Sequence, residues 1–439
     1  MWYNRTMKKF RVYLPVMVLV GCLFVAFYNS AIATDGFISE GGKRPSVLPI
    51  MGWWGIPENE VSRERYREAR EAGFTHLMQY ASTVEKMRKF LDMAHAEGIR
   101  LEVKMTQLRT EPEATARALM DHPALSMYHV KDEPPAQDFA KWAAVIKRIS
   151  SVDKKHPCYM NLLADASDPQ RWLGTPDYPT YLRRALDEIP LAFLSVDYYP
   201  CILKDIALQR PYRDTDGDVK IKERWYNQLE IVSAAARERG LALTLFACDV
   251  AHFNVHFVYP VPTLAMLRLQ QYVNLAYGAV ALQYFTYWNP GDQGLHKFHE
   301  SVIRIDGKRG EVYDIVSALN RELHARSGEF VGGKVIDISH TGYEIPMGTR
   351  PLKKLPGWVK KLQTLGSGAV VAQMVRDDEE ILMVVNRDPC KEMKLDIAFA
   401  DAAKVKRVLV DGKLASAASY AERYFMAPGY AEIFKIKAN

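Results

Sequence analysis

Two rhythms of apolar residues alternate between positions 46 and 328. Short apolar runs occupy 46–54, 74–80, 99–105, 125–130, 158–163, 191–198, 241–248 and 280–287. Between them lie stretches at 62–72, 83–97, 113–121, 136–150, 181–188, 221–239, 262–277 and 311–326, where apolar side chains recur every three to four positions. The first pattern predicts buried strands and the second amphipathic helices. Ser62 suits an N-cap, and Gly73, Gly98, Gly240, Gly278 and Gly328 stand where helices stop. Eight strand–helix units in roughly 280 residues predict an α/β fold, a (β/α)8 TIM barrel, over 46–328. An open doubly wound sheet shares the alternation but normally carries a glycine-rich phosphate turn. Neither GxGxxG nor GxxxxGK[ST] occurs here.

Past residue 330 the rhythm changes. Short, partly alternating runs at 369–375, 380–385, 393–399, 405–409 and 430–436 are separated by Asp377-Asp378, Asn386-Arg387-Asp388-Pro389, Asp411-Gly412 and Pro428-Gly429. These turn signals predict a small all-β, sandwich-like C-terminal domain over 329–439. The lysines at 353, 354, 360 and 361 are expected on a solvated face. At the other end, residues 1–11 are basic, 12–28 are apolar and uncharged, and Ala31-Ile32-Ala33 is a small-x-small cleavage pattern. Residues 1–33 therefore read as a signal peptide, followed by a polar linker at 34–45. The same stretch admits a signal anchor, or a lipobox at Leu19-Val20-Gly21-Cys22. All three place the body outside the cytoplasm, as a periplasmic, cell-surface or secreted protein. Membrane association is expected only if the leader stays uncleaved or is lipidated.

The chain has 439 residues, 48% hydrophobic and 25% charged, a globular composition. Its net charge of +6 is mostly leader: Arg5, Lys8, Lys9 and Arg11 belong to it, so 54 of the 58 basic residues face 52 acidic ones in the rest. That balance gives no electrostatic case for a nucleic-acid partner. Outside the leader, Cys158, Cys201, Cys248 and Cys390 show no metal spacing. They read as buried apolar residues, although export would permit a disulfide.

In a barrel the chemistry gathers where the strands end. These ends carry Trp53 and Trp54, then Gln79, then Lys104, then Asp132 and Glu133, then Asn161. They continue with Asp197, Tyr198 and Tyr199, then Asp249 with His252 and His256 behind it, and last Gln283, Tyr287, Trp288 and Asp292. Flat rings cover the C–H faces of sugars, while carboxylates and amides bind hydroxyls. Hydrolysis of a glycosidic bond needs one carboxylic acid for the leaving oxygen and a second carboxylate as nucleophile or base. A carbohydrate substrate is thus the expected partner, and no metal or organic cofactor is implied.

Glu133 after the fourth strand resembles the acid/base of clan A glycoside hydrolases, the barrel group that includes family 42 β-galactosidases. Asp197-Tyr198-Tyr199-Pro200 is similar to uncharacterised Bacteroides barrel proteins labelled as glycoside hydrolases. So is the stretch from Tyr259-Pro260-Val261-Pro262-Thr263 to Gln283-Tyr284-Phe285-Thr286-Tyr287-Trp288. The resemblance spans roughly 46–325 and implies an exported glycosidase, β-galactosidase-like in class, with Glu133 as acid/base. Two positions depart from it. Asp132 stands where clan A has Asn, and Asp249 where it has the nucleophilic Glu, so the second carboxylate is left open between Asp249 and Asp197.

Each residue also has a plainer reading. Glu133 and Asp132 could cap the next helix, Asp197 could hold a turn, and the tryptophans could be core. His252 and His256 are spaced as metal ligands on a helix, but the surrounding Phe253, Phe257 and Pro260 favour a loop. Two other classes remain: a catalytically inactive carbohydrate-binding barrel, and a metal-dependent amidohydrolase. The latter would require His-x-His after the first strand, where Gly52-Trp53-Trp54 stands.

Overall fold

The structure is a computed structural model that describes residues 47–203, 219–254, 256–419 and 423–438. The leader and linker lie outside the described residues. In chain order the barrel portion comprises β1 (Ile50–Gly52), α1 (Arg63–Glu71), β2 (His76–Tyr80), α2 (Val84–Ala96), β3 (Arg100–Lys104), α3 (Gln107–Thr110), α4 (Pro112–Leu119), β4 (Leu125–Asp132), α5 (Phe139–Val152), β5 (Cys158–Leu162), α6 (Pro169–Trp172), α7 (Tyr178–Glu188) and β6 (Phe193–Val196). It continues through β7 (Cys201–Leu203), β8 (Val219–Ile221), α8 (Trp225–Arg239), β9 (Ala242–Cys248), β10 (Ala251–Phe253), β11 (Val258–Tyr259), α9 (Leu264–Ala276), β12 (Ala279–Phe285), β13 (Lys297–Glu300) and α10 (Tyr313–Ser327).

Strands β1, β2, β3, β4, β5, β6, β9 and β12 close into one parallel barrel. The helix starts follow the sequence. The Ser62 hydroxyl accepts from the Arg65 N–H and the Thr83 hydroxyl from the Lys86 N–H, satisfying backbone donors that no preceding turn can reach. Alternation along each strand sorts side chains into two layers. Leu77, Leu101, Val103, Tyr128, Val130, Leu194 and Leu245 pack outward under the helices. Met51, Trp53, Met78, Met127, Tyr159, Phe193 and Phe246 fill the lumen. The barrel is therefore a packed core, open only at the rim.

Two insertions at that rim were not legible in the periodicity. The β7–β8 hairpin replaces the first turn expected of the helix at 221–239, which begins only at Trp225. Strands β10, β11 and β13 form a small antiparallel sheet beside it. Both are built from two- to four-residue strands, too short for a periodic signal.

The C-terminal strands are β14 (Lys334–His340), β15 (Val359–Leu365), β16 (Ala369–Arg376), β17 (Glu379–Asn386), β18 (Met393–Phe399), β19 (Lys406–Val408), β20 (Leu414–Ser416), β21 (Arg423–Met426) and β22 (Ala431–Lys437). They form an antiparallel six-stranded sheet (β14-β16-β17-β22-β19-β20) and a three-stranded sheet (β15-β18-β21). Trp358, Leu362, Leu395 and Ile397 from the smaller sheet meet Val371, Leu382, Val384 and Phe434 from the larger, which makes a sandwich. Lys360 and Lys361 lie within β15, where Lys361 pairs with Asp396 at 2.7 Å. Cys158, Cys201 and Cys248 are free thiols and buried. No helix among the described residues is long and apolar enough to cross a membrane.

One buried arginine joins the two domains. Arg326 on α10 donates to Tyr272 Oη (2.8 Å) and to the carbonyls of Val408 (3.2 Å) and Ala431 (2.9 Å) of the sandwich. Glu322 completes the group, with Arg326 at 3.5 Å and Arg268 and Tyr272 also bound. Removing one member of a buried ionic group leaves the others uncompensated. We expect Arg326→Ala to lower the unfolding free energy by about 3–5 kcal/mol, read from urea denaturation. A change under about 1 kcal/mol, the level of a surface ion pair, would show that this junction contributes little.

Candidate active site

The site begins with a register shift. Between β4 and β5, Tyr128 faces Cys158 and His129 faces Tyr159, but then Lys131 faces Met160 and Asp132 faces Asn161. One extra residue sits in β4, a β-bulge that re-aims the strand end. Asp132 is thereby set beside Asn161. The Asn161 amide donates to Asp197 Oδ1 at 2.8 Å and, more weakly, to Asp132 Oδ1 at 3.4 Å. Its carbonyl oxygen accepts from Ser195 Oγ at 3.0 Å. Below lies a polar core: Ser195, Tyr159 and Thr244 converge on Gln283, whose Oε1 also accepts from Trp53 Nε1 at 2.8 Å. Buried polar groups that satisfy one another in this way fix a single arrangement.

Glu133 follows directly. Its N–H extends the ladder to the Asn161 carbonyl at 2.9 Å, and its φ of +49° puts a non-glycine residue in the left-handed region. Such conformations are costly and persist where the surroundings hold them. Trp54, at the end of β1, has a φ of +46°. Its neighbour Gly55 lies so close to β2 that a Cβ there would stand 2.1 Å from the Met78 carbonyl oxygen. Two strand ends are thus turned sharply at the rim.

Glu133 is exposed as a residue, but its carboxyl is crowded by protein atoms among the acids of the rim, close enough to Asp197 to feel its charge. Desolvation in the cleft, then the charges of Asp197 and Asp132, push its carboxyl well above the usual range. Asp197 is raised to about 6 by burial and by Asp132, against which the Asn161 amide and the Tyr199 hydroxyl favour its ionised form. Asp132 is also raised, chiefly by desolvation, with Lys104 opposing. Glu133 consequently holds its proton where Asp197 has released one.

Rings and cations wall the rim. Trp54 is partly exposed, with Lys104 Nζ 5.4 Å from its ring centroid. Tyr199 stacks on Phe285 (5.3 Å) and meets Tyr259 edge-on. Lys222 lies against Tyr198, Phe257 and Tyr259.

The other residues singled out in the sequence fall elsewhere. Trp53, Gln283 and Asn161 are buried members of the network under the rim. Gln79 is fully buried, donating to the Ile56 carbonyl and accepting from Tyr66. Tyr287 and Trp288 are core residues packed near α1. His252 is buried in the rim sheet, stacked on Tyr259 at 4.2 Å, and burial takes it down to about 3. His256 and Asp292 are exposed on loops, Asp292 paired with Lys297 at 2.8 Å. Among the described residues, no group of three or more His, Cys, Asp or Glu is placed to hold a metal ion. A surface cavity of about 270 Å3 over α1 is lined by Glu64, Arg65, Arg67, Glu68, Glu71 and Arg309 and includes none of the strand-end groups.

Asp249 has no solvent exposure, and neither carboxyl oxygen makes a well-formed hydrogen bond. Burial pushes it well above the usual carboxylate range, so it is neutral in the folded chain. Sequence reasoning missed Lys222, Ser195, Tyr159, Thr244 and the buried Glu102–His129 pair (2.6 Å). Glu102 was detectable as a lone acid between Leu101 and Val103 on a buried strand. Lys222 gave no signal inside what reads as a continuous helix.

A carboxyl kept protonated by folding favours the folded chain at low pH, and that advantage disappears as pH rises from its unfolded toward its folded pKa, about 1.4 kcal/mol per pH unit. Asp249→Asn is therefore expected to lose less stability than the parent between pH 5 and pH 8, measured by urea midpoints. Parallel losses in the two proteins would show that Asp249 titrates normally.

No family model matches the chain, and no curated protein matches it. Solved structures do. A family 42 β-galactosidase from G. stearothermophilus aligns with a TM-score of 0.55 at 10% identity, over 90% of this chain and 99% of that one. A β-galactosidase from Bacillus circulans sp. alkalophilus aligns with 0.53 at 10% identity, over 89% and 99%. A family 39 glycoside hydrolase from Bacteroides cellulosilyticus gives 0.47 at 12%, over 89% and 81%. In fold, the chain resembles the clan A (β/α)8 glycoside hydrolases.

Proposed function

We propose that the chain is a glycoside hydrolase in which Glu133 is the general acid/base and Asp197 the nucleophile. What carries this reading is the placement of Glu133 beside Asp197 at a ring-walled rim, where Asp197 and Asp132 favour the protonated form of Glu133. A leaving oxygen needs a proton donor that stays protonated near neutrality, and an anomeric carbon needs an ionised carboxylate. The two acids divide these roles by environment. Glu133 is burdened by two neighbouring acids, while Asp197 is supported by the Asn161 amide. Asp249 is left out because it is buried and neutral.

In the first step Asp197 attacks the anomeric carbon as Glu133 gives its proton to the departing oxygen. In the second, Glu133 takes a proton from water, which displaces Asp197. Inverting enzymes hold their carboxyls about 6.5–9.5 Å apart to admit a water, and retaining ones about 5–5.5 Å. Asp197 is near enough to Glu133 to raise its carboxyl, which favours the shorter spacing and a retaining reaction.

The test is a screen of nitrophenyl glycosides, β-galactosides among them, followed by natural glycans. On an unactivated substrate, Glu133→Gln should lose about 10²–10⁴-fold in kcat. The kcat/KM profile should be a bell. Activity falls below about pH 6 as Asp197 gains a proton, and falls again at higher pH as Glu133 loses one. Unchanged turnover in Glu133→Gln would remove it from this role.

A second reading rests on the burial of Asp249 at the strand end where clan A carries its nucleophile. A barrel that binds glycans without cleaving them would give calorimetric binding and no product.

A further inference from the structure

Lys222 occupies a setting that the hydrolytic reading leaves unexplained. The β7–β8 hairpin returns the chain to the root of the Asp197–Pro200 segment, where the Lys222 N–H donates to the Pro200 carbonyl at 2.9 Å. Its ammonium lies over three rings, Phe257 at 4.1 Å, Tyr259 at 4.7 Å and Tyr198 at 5.2 Å. It donates one hydrogen bond, to Tyr259 Oη at 2.6 Å. Among the described residues, no carboxylate lies within ion-pairing distance of it. Asp197 and the thiols of Cys248 and Cys201 are the acids that face it, and desolvation outweighs them, bringing its pKa to about 8. It therefore remains charged at neutral pH with donors to spare.

A desolvated cation of this kind is a poor device for holding hydroxyls. The partly exposed residues Asp132 and Glu133 already offer carboxyls for those. Rings stabilise the charge by cation–π attraction without using up its donors, which leaves the ammonium ready for an anion. The opposite wall has the same sign: Lys104, Arg109 and Lys131 act on the buried Glu102–His129 pair and on Asp132 there. Asp132 and Asp197 share the mouth with Lys222, Lys104 and Lys131, and cations grouped in a cleft attract ligands of opposite charge.

We propose that Lys222 binds an anionic substituent, a carboxylate or a sulfate, on the sugar next to the cleaved bond, so that the site takes acidic glycans. This deepens the glycosidase reading and rests on it for the turnover measurements.

The test compares uronate-bearing oligosaccharides with their carboxyl-reduced forms, and sulfated ones with their desulfated forms, so each pair shares its linkages and differs in charge. The native protein should favour the anionic member of one pair by at least tenfold in kcat/KM, and that pair identifies the anion. Lys222→Met should lose at least tenfold on the anionic substrate, mainly in KM, and several-fold less on its neutral partner. Lys222→Arg should recover part of the loss. Equal use of charged and neutral members by the native protein would overturn the proposal while leaving the glycosidase intact. An equal loss by Lys222→Met on both would reduce Lys222 to a packing residue. If the native protein cleaves none of the glycans, the glycosidase reading fails separately. Calorimetry with the same pairs then decides: tighter binding of the anionic member supports Lys222 as the anchor, and equal or absent binding refutes it.

Discussion

The side chain of Asn161 is the point on which the rim depends. One amide reaches both Asp197 and Asp132, and the same side chain accepts from Ser195 in the lumen. Its position requires the β4 bulge, because without the extra residue Lys131 rather than Asp132 would share its level. The acids at the rim are therefore placed by strand register, and their charges are apportioned by which of them the amide serves. Asp197 has that donor and Glu133 does not. Tyr159, Gln283 and Trp53 fix Ser195 from below, so the packing of the barrel interior is transmitted to the carboxyls at its mouth.

The barrel was legible because its strands are short, largely buried runs and several helices stop at or beside a glycine, as at Gly73, Gly98, Gly240, Gly278 and Gly328. Boundaries shifted by a few residues. The expected strand at 191–198 is ordered only over Phe193–Val196, which frees Asp197, Tyr198 and Tyr199 to line the rim. In the sandwich, Lys334–His340 and Val359–Leu365 were missed because lysines and polar residues interrupt their apolar alternation. The strand-end rule located Glu133, Asp132, Asn161 and Asp197. It could not distinguish the exposed Trp54 from the buried Trp53, nor Asp197 from Asp249, since those pairs differ in side-chain direction and depth.

The second domain adds no carboxyl to the rim, but its Cys390 packs against Cys201 and Val219 of the β7–β8 hairpin. It is held to the outer helices α9 and α10 through Arg326, Tyr272 and Glu322, on the side of the barrel wall rather than at the strand ends. Variation in the β10–β11–β13 sheet would change what the mouth admits, whereas the β7–β8 hairpin also meets the second domain at Cys390. Such a separation of a rigid scaffold from variable loops is the general logic of barrel enzymes.

Glu133 and Asp197 are expected to hold one proton between them, resident on Glu133. Carboxyl carbon-13 NMR of the labelled protein, titrated from pH 3 to pH 9 and assigned with Glu133→Gln and Asp197→Asn, reads this directly. The Asp197 resonance should move near pH 6 while Glu133 stays protonated well above the usual glutamate range. Independent titration of both groups near pH 4, as in unperturbed peptides, would contradict it.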